Sequence, residues 1–193
     1  METVIDLRGA VRQSRMATML SAAEITDHAP LVGAARQGDR TAFGQLYRLF
    51  SPMVHGILLA RVPRHDAEDL VQDVFLAALR QLHTLRDDAA FPGWLARIAR
   101  NRATDHHRRR LDTGELPADV AAPNSPCTEA LAVLATIRGL PEAYREPLIL
   151  RLVEGMTGEE IAARTGLKPA SVRVNLHRGM KRLREILGKE NRP

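Results

Sequence analysis

Cations at helical spacing near the C-terminal end of this 193-residue chain are the side chains best arranged to do chemistry. Between positions 168 and 189, Lys168, Arg173, His177, Arg178, Lys181, Arg182, Arg184 and Lys189 stand against Glu185 alone. Groups three and four residues apart share a helix face, so this set could hold a row of phosphates. Arg97, Arg100, Arg102, Arg108, Arg109 and Arg110 form a second cationic block upstream. No group converges for covalent chemistry. Asp105, His106 and His107 are adjacent, and neighbours on a helix point about 100° apart, so they do not assemble as metal ligands. No catalytic residue, metal or cofactor is expected, and the chain is not read as an enzyme.

A basic amphipathic helix alone is as well explained by solubility as by a ligand. Its coupling to the preceding residues decides the matter. Gly158 to Thr165 predicts a short helix with Ile161 and Ala162 facing inward, Ala162 being small enough for a second helix to cross closely. Gly166 then supplies a turn that needs positive φ, Leu167 plugs it, and Pro169 suits the first turn of the next helix. From there Val172, Leu176, Met180, Leu183 and Leu187 recur as one apolar stripe opposite the cations. Ala162, Gly166 and Val172 thus mark a helix-turn-helix whose second helix, roughly 28 Å long, can enter a major groove and follow the phosphates.

Charge is unevenly distributed. The net of +5 resolves into −1 over residues 1–90, +5 over 91–110, −5 over 111–167 and +6 over 168–193. Two cationic surfaces separated by an acidic stretch imply two contacts with one polyanion. Aromatic residues make up only 4% of the chain, which favours small helical units over a sandwich of sheets. Cys127 is the single cysteine, so one copy can form neither an internal disulfide nor a Cys-based zinc site. With no run of 18 apolar residues and no signal-peptide core, the expectation is no membrane insertion and a reducing cytoplasm.

The elements that must carry these groups follow in order. Residues 1–29 lack a sustained period and are expected to form a disordered extension. Leu31 to Gln37 predicts a short helix, broken by Gly38-Asp39. Thr41 to Val62 predicts a longer one, with Phe43, Leu46, Tyr47, Phe50, Val54, Ile57 and Leu58 on one side and Pro52 as a kink. Asp66 is expected as the N-cap of a helix from Ala67 to Leu82, whose Glu68, Gln72 and Asp73 give an acidic, amide-bearing face. Such a face is either solvated or a dock for a basic partner. Residues 83–91 form a connecting loop, and Phe91-Pro92-Gly93-Trp94 opens a helix to about Arg109, with Trp94 expected in the core. Residues 111–127 hold three prolines and three acids without a period, and so form a linker. It would span roughly 21–25 Å as a coil and about 56 Å when stretched, so its flanks can sit well apart. Glu129 to Arg138 and Pro141 to Val153 supply two further helices, Pro147 bending the second or delaying its regular part. The fold class is therefore all-α, two small helical domains over 30–110 and 128–188 joined by a flexible linker.

Three stretches, DAEDLVQDVFLAAL (Asp66–Leu79), FPGWLARIARNRATDHHRRR (Phe91–Arg110) and the run from Leu140 to Leu187, closely resemble, in that order, bacterial RNA polymerase sigma factors of the extracytoplasmic-function group. The resemblance covers about residues 30–188 and implies a region 2-like bundle followed by a region 4-like helix-turn-helix domain. It implies core polymerase docking through Glu68, Gln72, Asp73 and Phe75. Recognition and melting of the promoter −10 element would fall to the helix from Trp94. Thr84 to Phe91 would line a base pocket, with Arg97, Arg100, Asn101, Arg108 and Arg109 near the single strand. The helix from Pro169 would read the −35 element as duplex, with Lys168, Ser171, Arg173, Asn175, His177, Arg178, Lys181 and Arg182 nearest the DNA. The acidic linker resembles those that thread the RNA exit path. Partners so implied are core RNA polymerase, promoter DNA and an anti-sigma factor. Val174 and Asn175 depart from the family, which usually places a small polar residue and then a basic one there, and Arg102 stands where an apolar residue is common.

Two other functions compete with a promoter-selecting polymerase subunit. A sigma-like decoy that sequesters an anti-sigma factor has no use for two basic blocks. A plain helix-turn-helix regulator has no use for the Trp94–Arg110 module or the docking helix.

Overall fold

Asp39 starts the first long helix: its carboxylate accepts hydrogen bonds from the backbone N–H groups of Thr41 at 2.7 Å and Ala42 at 3.1 Å. In the computed structural model, which describes residues 28–113 and 126–190, this helix is the second of eight. Before it lies α1 (Ala29–Arg36); α2 itself is Arg40–Leu59 and α3 is Arg64–Gln81. Two short 3-10 turns, Leu82–Thr84 and Asp88–Ala90, lead into α4 (Phe91–Thr113). The second unit consists of α5 (Pro126–Arg138), α6 (Glu142–Leu152), α7 (Gly158–Thr165) and α8 (Pro169–Glu190). No strand occurs among the described residues.

The first unit packs α2 against α1, α3 and α4. Leu46, Phe50, Met53 and Ile57 of α2 meet Val74 of α3 and Phe91 and Leu95 of α4, all fully or almost fully buried. Each such side chain contributes about 1.5–3 kcal/mol of transfer free energy, most of it offset by the entropy of ordering the chain. The second unit closes around Ile137, Leu148, Ile149, Ile161 and Val172.

Several expectations shift. Asp66 does not cap α3: the helix begins at Arg64, three residues before the expected start at Ala67, after Pro63, whose φ of −54° and ψ of 153° set the chain's entry. Asp66 lies instead in the first turn, where the helix dipole favours an anion, and pairs with Arg110 at 2.9 Å. The loop before α4 is partly ordered by Asp87, which accepts from the N–H of Ala89 at 3.0 Å, and by an Arg36–Asp88 ion pair to α1. Pro147 lies within α6, which runs on past it to Leu152. The N-terminal extension up to residue 27 and linker residues 114–125 lie outside the described residues. The ends of the expected linker, 111–113 and 126–127, are helical.

The two units do not stand apart. Helix α2 packs on α6 and α4 packs on α7. Gly56 makes the first contact possible, because a Cβ there would lie 2.6 Å from Leu150 Cδ2.

Candidate nucleic-acid interface

Thr157 opens the helix-turn-helix with a capping box: its hydroxyl accepts from the N–H of Glu160 at 3.2 Å while its own N–H donates to the Glu160 carboxylate at 2.7 Å. Gly166 ends α7 at φ +73°, and Pro169 begins α8, as the residue types demand. Burial lowers the pKa of Arg164 in α7, with the nearby charge of Glu160 opposing the shift.

Helix α8, about 33 Å long at 1.5 Å per residue, buries Val172 and Leu183 and half-buries Leu176, Met180 and Leu187. Its opposite face exposes Lys168, Ser171, Arg173, His177, Arg178, Lys181 and Arg182; Asn175 is half-buried at its edge, and Val174 is exposed beside it. Among the described side chains of α8, the Arg182–Glu185 contact at 3.6 Å is the one ion pair that offsets this charge. Gly179 was not singled out by its sequence context, yet a Cβ there would come within 3.0 Å of Leu148 and 3.1 Å of Tyr144. A glycine on the apolar side of an otherwise bulky stripe was the available signal, since it marks close helix approach.

On α4, Arg97, Asn101, Arg108 and Arg109 face outward, although Arg108 shares its charge with Asp105 at 2.8 Å. Arg100 does not join them. Its guanidinium forks onto Glu146 of α6, Nε to Oε2 at 3.1 Å and Nη2 to Oε1 at 2.7 Å, and also donates to the Thr165 carbonyl at 3.1 Å. Arg110 likewise turns inward to Asp66. Beside Arg97 and Arg100 a groove opens between the 84–90 loop and the first turns of α4. Trp94, expected in the core, is half-buried: it packs on Phe91 with ring centroids 5.8 Å apart and also lines this groove.

On α3, Glu68, Gln72 and Asp73 are exposed, but Phe75 is not. It is 3% exposed, held between Phe43 and Tyr47 with ring centroids 6.3 Å and 4.6 Å away, so it supports the face from beneath. Leu76 and Leu79 extend the exposed row instead, 52% and 48% accessible. No cluster of three or more His, Cys, Asp or Glu able to hold a metal occurs among the described residues, and none of their helices is long and apolar enough to cross a membrane.

Comparison with known proteins matches residues 46–112 to the family model for sigma-70 region 2 and residues 130–183 to that for sigma-70 region 4. The chain is 36% identical over 163 residues to the RNA polymerase sigma factor CarQ of Myxococcus xanthus, covering 79% of this chain and 93% of that one. It is 31% identical over 174 residues to the ECF RNA polymerase sigma-E factor of Escherichia coli K12, covering 80% and 91%. Among solved structures it resembles CnrH in complex with the cytosolic domain of CnrY, with a TM-score of 0.62, 28% identity and coverage of 84% of this chain and 98% of that one. It also resembles the sigma factor RpoE of Bartonella quintana bound to the anti-sigma factor NepR, with a TM-score of 0.57, 25% identity and coverage of 78% and 98%. Two sigma-70 regions in their expected order, with such relatives along most of its length, mean that the chain belongs to the extracytoplasmic-function group of RNA polymerase sigma factors.

Proposed function

We propose that this sigma factor joins core RNA polymerase in the cytoplasm and directs it to promoters through three surfaces, acting by binding rather than by covalent chemistry of its own. The observation that carries the division of labour is the exposed cationic face of α8, opposed by a buried apolar stripe on a helix-turn-helix scaffold. On this reading, Lys168, Ser171, Arg173, Asn175, His177, Arg178, Lys181 and Arg182 contact the −35 duplex: the cations hold phosphates, and the N-terminal part of the helix reads base edges. The groove between the 84–90 loop and Trp94 captures an unstacked −10 base, with Arg97, Arg100, Asn101, Arg108 and Arg109 along the strand. Glu68, Gln72 and Asp73 dock on a basic surface of the polymerase, with Leu76 and Leu79 supplying the apolar part and Phe75 supporting them. An anti-sigma protein is proposed as a further partner, since the solved relatives include sigma factors in complex with such proteins.

Run-off transcription with core polymerase, with and without the protein, tests this function. Promoter-dependent transcripts are expected only when the protein is present. Core polymerase that stays silent at the start site in its presence would leave only a decoy or a simple duplex-binding regulator.

A further inference from the structure

We infer that Val174 is a specificity residue of the recognition helix: its side chain packs on the C5-methyl group of a thymine in the major groove and so selects that base within the −35 element. The inference rests on the −35 assignment above and adds which base one side chain chooses.

Five large apolar side chains are exposed among the described residues: Tyr47, Leu76, Leu79, Val153 and Val174. Leu76 and Leu79 belong to the docking row of α3, Tyr47 packs on Phe75 beneath that row, and Val153 follows the end of α6. Val174, 44% accessible, stands instead on the cationic face of α8. A lone exposed valine elsewhere on a surface needs no explanation, but the position of this one gives it a meaning.

At about 100° of rotation per residue, the inward-facing Val172, Leu176 and Leu183 fall within about 40° of one another round the helix, and Val174 points about 160–180° away from them. It therefore marks the midline of the outward face. Arg178 and Lys181 lie within about 40° of that midline, while Arg173 and Arg182 stand about 80–100° to either side. Ala170, one turn nearer the N-terminus, is exposed on the same row.

A helix seated in a major groove turns its midline toward base edges and its flanks toward the two rows of phosphates. Arg173 and Arg182 are the flanking cations, so Val174, in the second turn of α8, is the group that meets the bases. Its side chain has no hydrogen-bonding atom. Against guanine, cytosine or adenine it would take water from the N7, O6 or amino groups and offer nothing in return. The thymine methyl is the one apolar group on the major-groove edges of the four bases, and Val174 covers it at no such cost. The surrounding charge decides the occupant. A protein surface built to cover Val174 must also neutralise Arg173, Arg178 and Lys181, whereas duplex DNA meets all of them at once.

Deoxyuridine differs from thymidine by that methyl group alone, and the test uses the difference. Run-off transcription by core polymerase and the full chain, on templates randomised upstream of the start site, defines the −35 element when the transcribed templates are sequenced. A fluorescein-labelled duplex of about 20 base pairs carrying that element is then made with each thymine in turn replaced by deoxyuridine, and titrated with the full chain. Wild type should show one thymine at which the replacement weakens binding about three- to fivefold, the effect of one buried methyl group. Val174→Ser should bind the thymine and deoxyuridine duplexes equally, with an unchanged thermal midpoint showing that it folds. Arg173→Ala should weaken binding to both duplexes alike and keep the wild-type preference between them.

An element with no enriched thymine on either strand, wild-type binding that ignores deoxyuridine at every thymine, or a methyl preference that survives in Val174→Ser would overturn the inference. If that preference survives while Val174→Ser loses affinity for core polymerase, the valine belongs to a protein contact. Each of these results leaves the promoter function standing, because transcripts were needed to define the element. No transcripts from any template would mean that the function itself was misassigned.

Discussion

Phe75 and Leu76 are neighbours with opposite fates. Both sit in the apolar run Val74–Leu79, and on a helix whose two long sides touch other helices and solvent the sequence period cannot say which member of such a run turns outward. Packing decides: Phe75 is seated against Phe43 and Tyr47, which leaves Leu76 exposed. Phe75→Ala should therefore destabilise the fold by about 3–5 kcal/mol in urea unfolding. Leu76→Asp should leave the unfolding midpoint within a few degrees of wild type yet weaken core polymerase binding about tenfold or more in a competition assay. A variant at Leu76 that binds polymerase normally would remove the apolar part of the docking face. Arg173 is exposed on α8, and Arg173→Ala should cost about 1–3 kcal/mol of affinity for −35 duplex and lower the salt slope by about one, read from titrations at several salt concentrations. The exposure of Arg173 and its cationic neighbours on α8 was legible because charge on one helix face needs no tertiary information. Glu146 was not legible: its meaning comes from Arg100, 46 residues away, and nothing local marks that pairing.

At the scale of elements, the helix-turn-helix could be read almost to the residue. Gly166 and Pro169 each have a local physical reason for their position, and α7 occupies the expected Gly158–Thr165, its Thr157 cap being a feature the structure adds. The start of α3 was misplaced because a good capping residue competed with Pro63, and the proline, which fixes its own φ, set the boundary. Close helix approach was the harder feature. Gly179 brings α8 against Leu148 and Tyr144 of α6, so Gly179→Leu should overpack that contact, cost about 1–3 kcal/mol of stability and tilt the recognition helix. Duplex binding should fall while single-strand binding is retained, because Trp94, Arg97 and the 84–90 loop stand on the first unit, apart from the contact of α8 with α6. Equal loss on both DNA forms would show that the substitution had unfolded more than α8.

At the scale of the whole molecule, sequence predicted two units at the ends of a tether and the structure joins them. The linker's composition says how far apart the units can go, but contacts such as the Arg61–Glu146–Arg100 cluster and Gly56 against Leu150 show that they come together. Ligands that need the parted state must supply the difference, and each is weakened by the same factor, the fraction of molecules already open. If polymerase holds the two units apart, as DNA contacts at two promoter elements require, its binding and that of single-stranded DNA are linked through one equilibrium. Glu146→Gln should then raise the affinity for core polymerase by the same factor as its affinity for the single strand, each measured by titration of labelled protein at matched salt. A gain for single strand with none for polymerase would mean that the enzyme first docks on the exposed row of α3 and separates the units only afterwards. In that case the two-step order should appear as a slow, concentration-independent phase in the association kinetics of the wild type, and Gly56→Leu should abolish it.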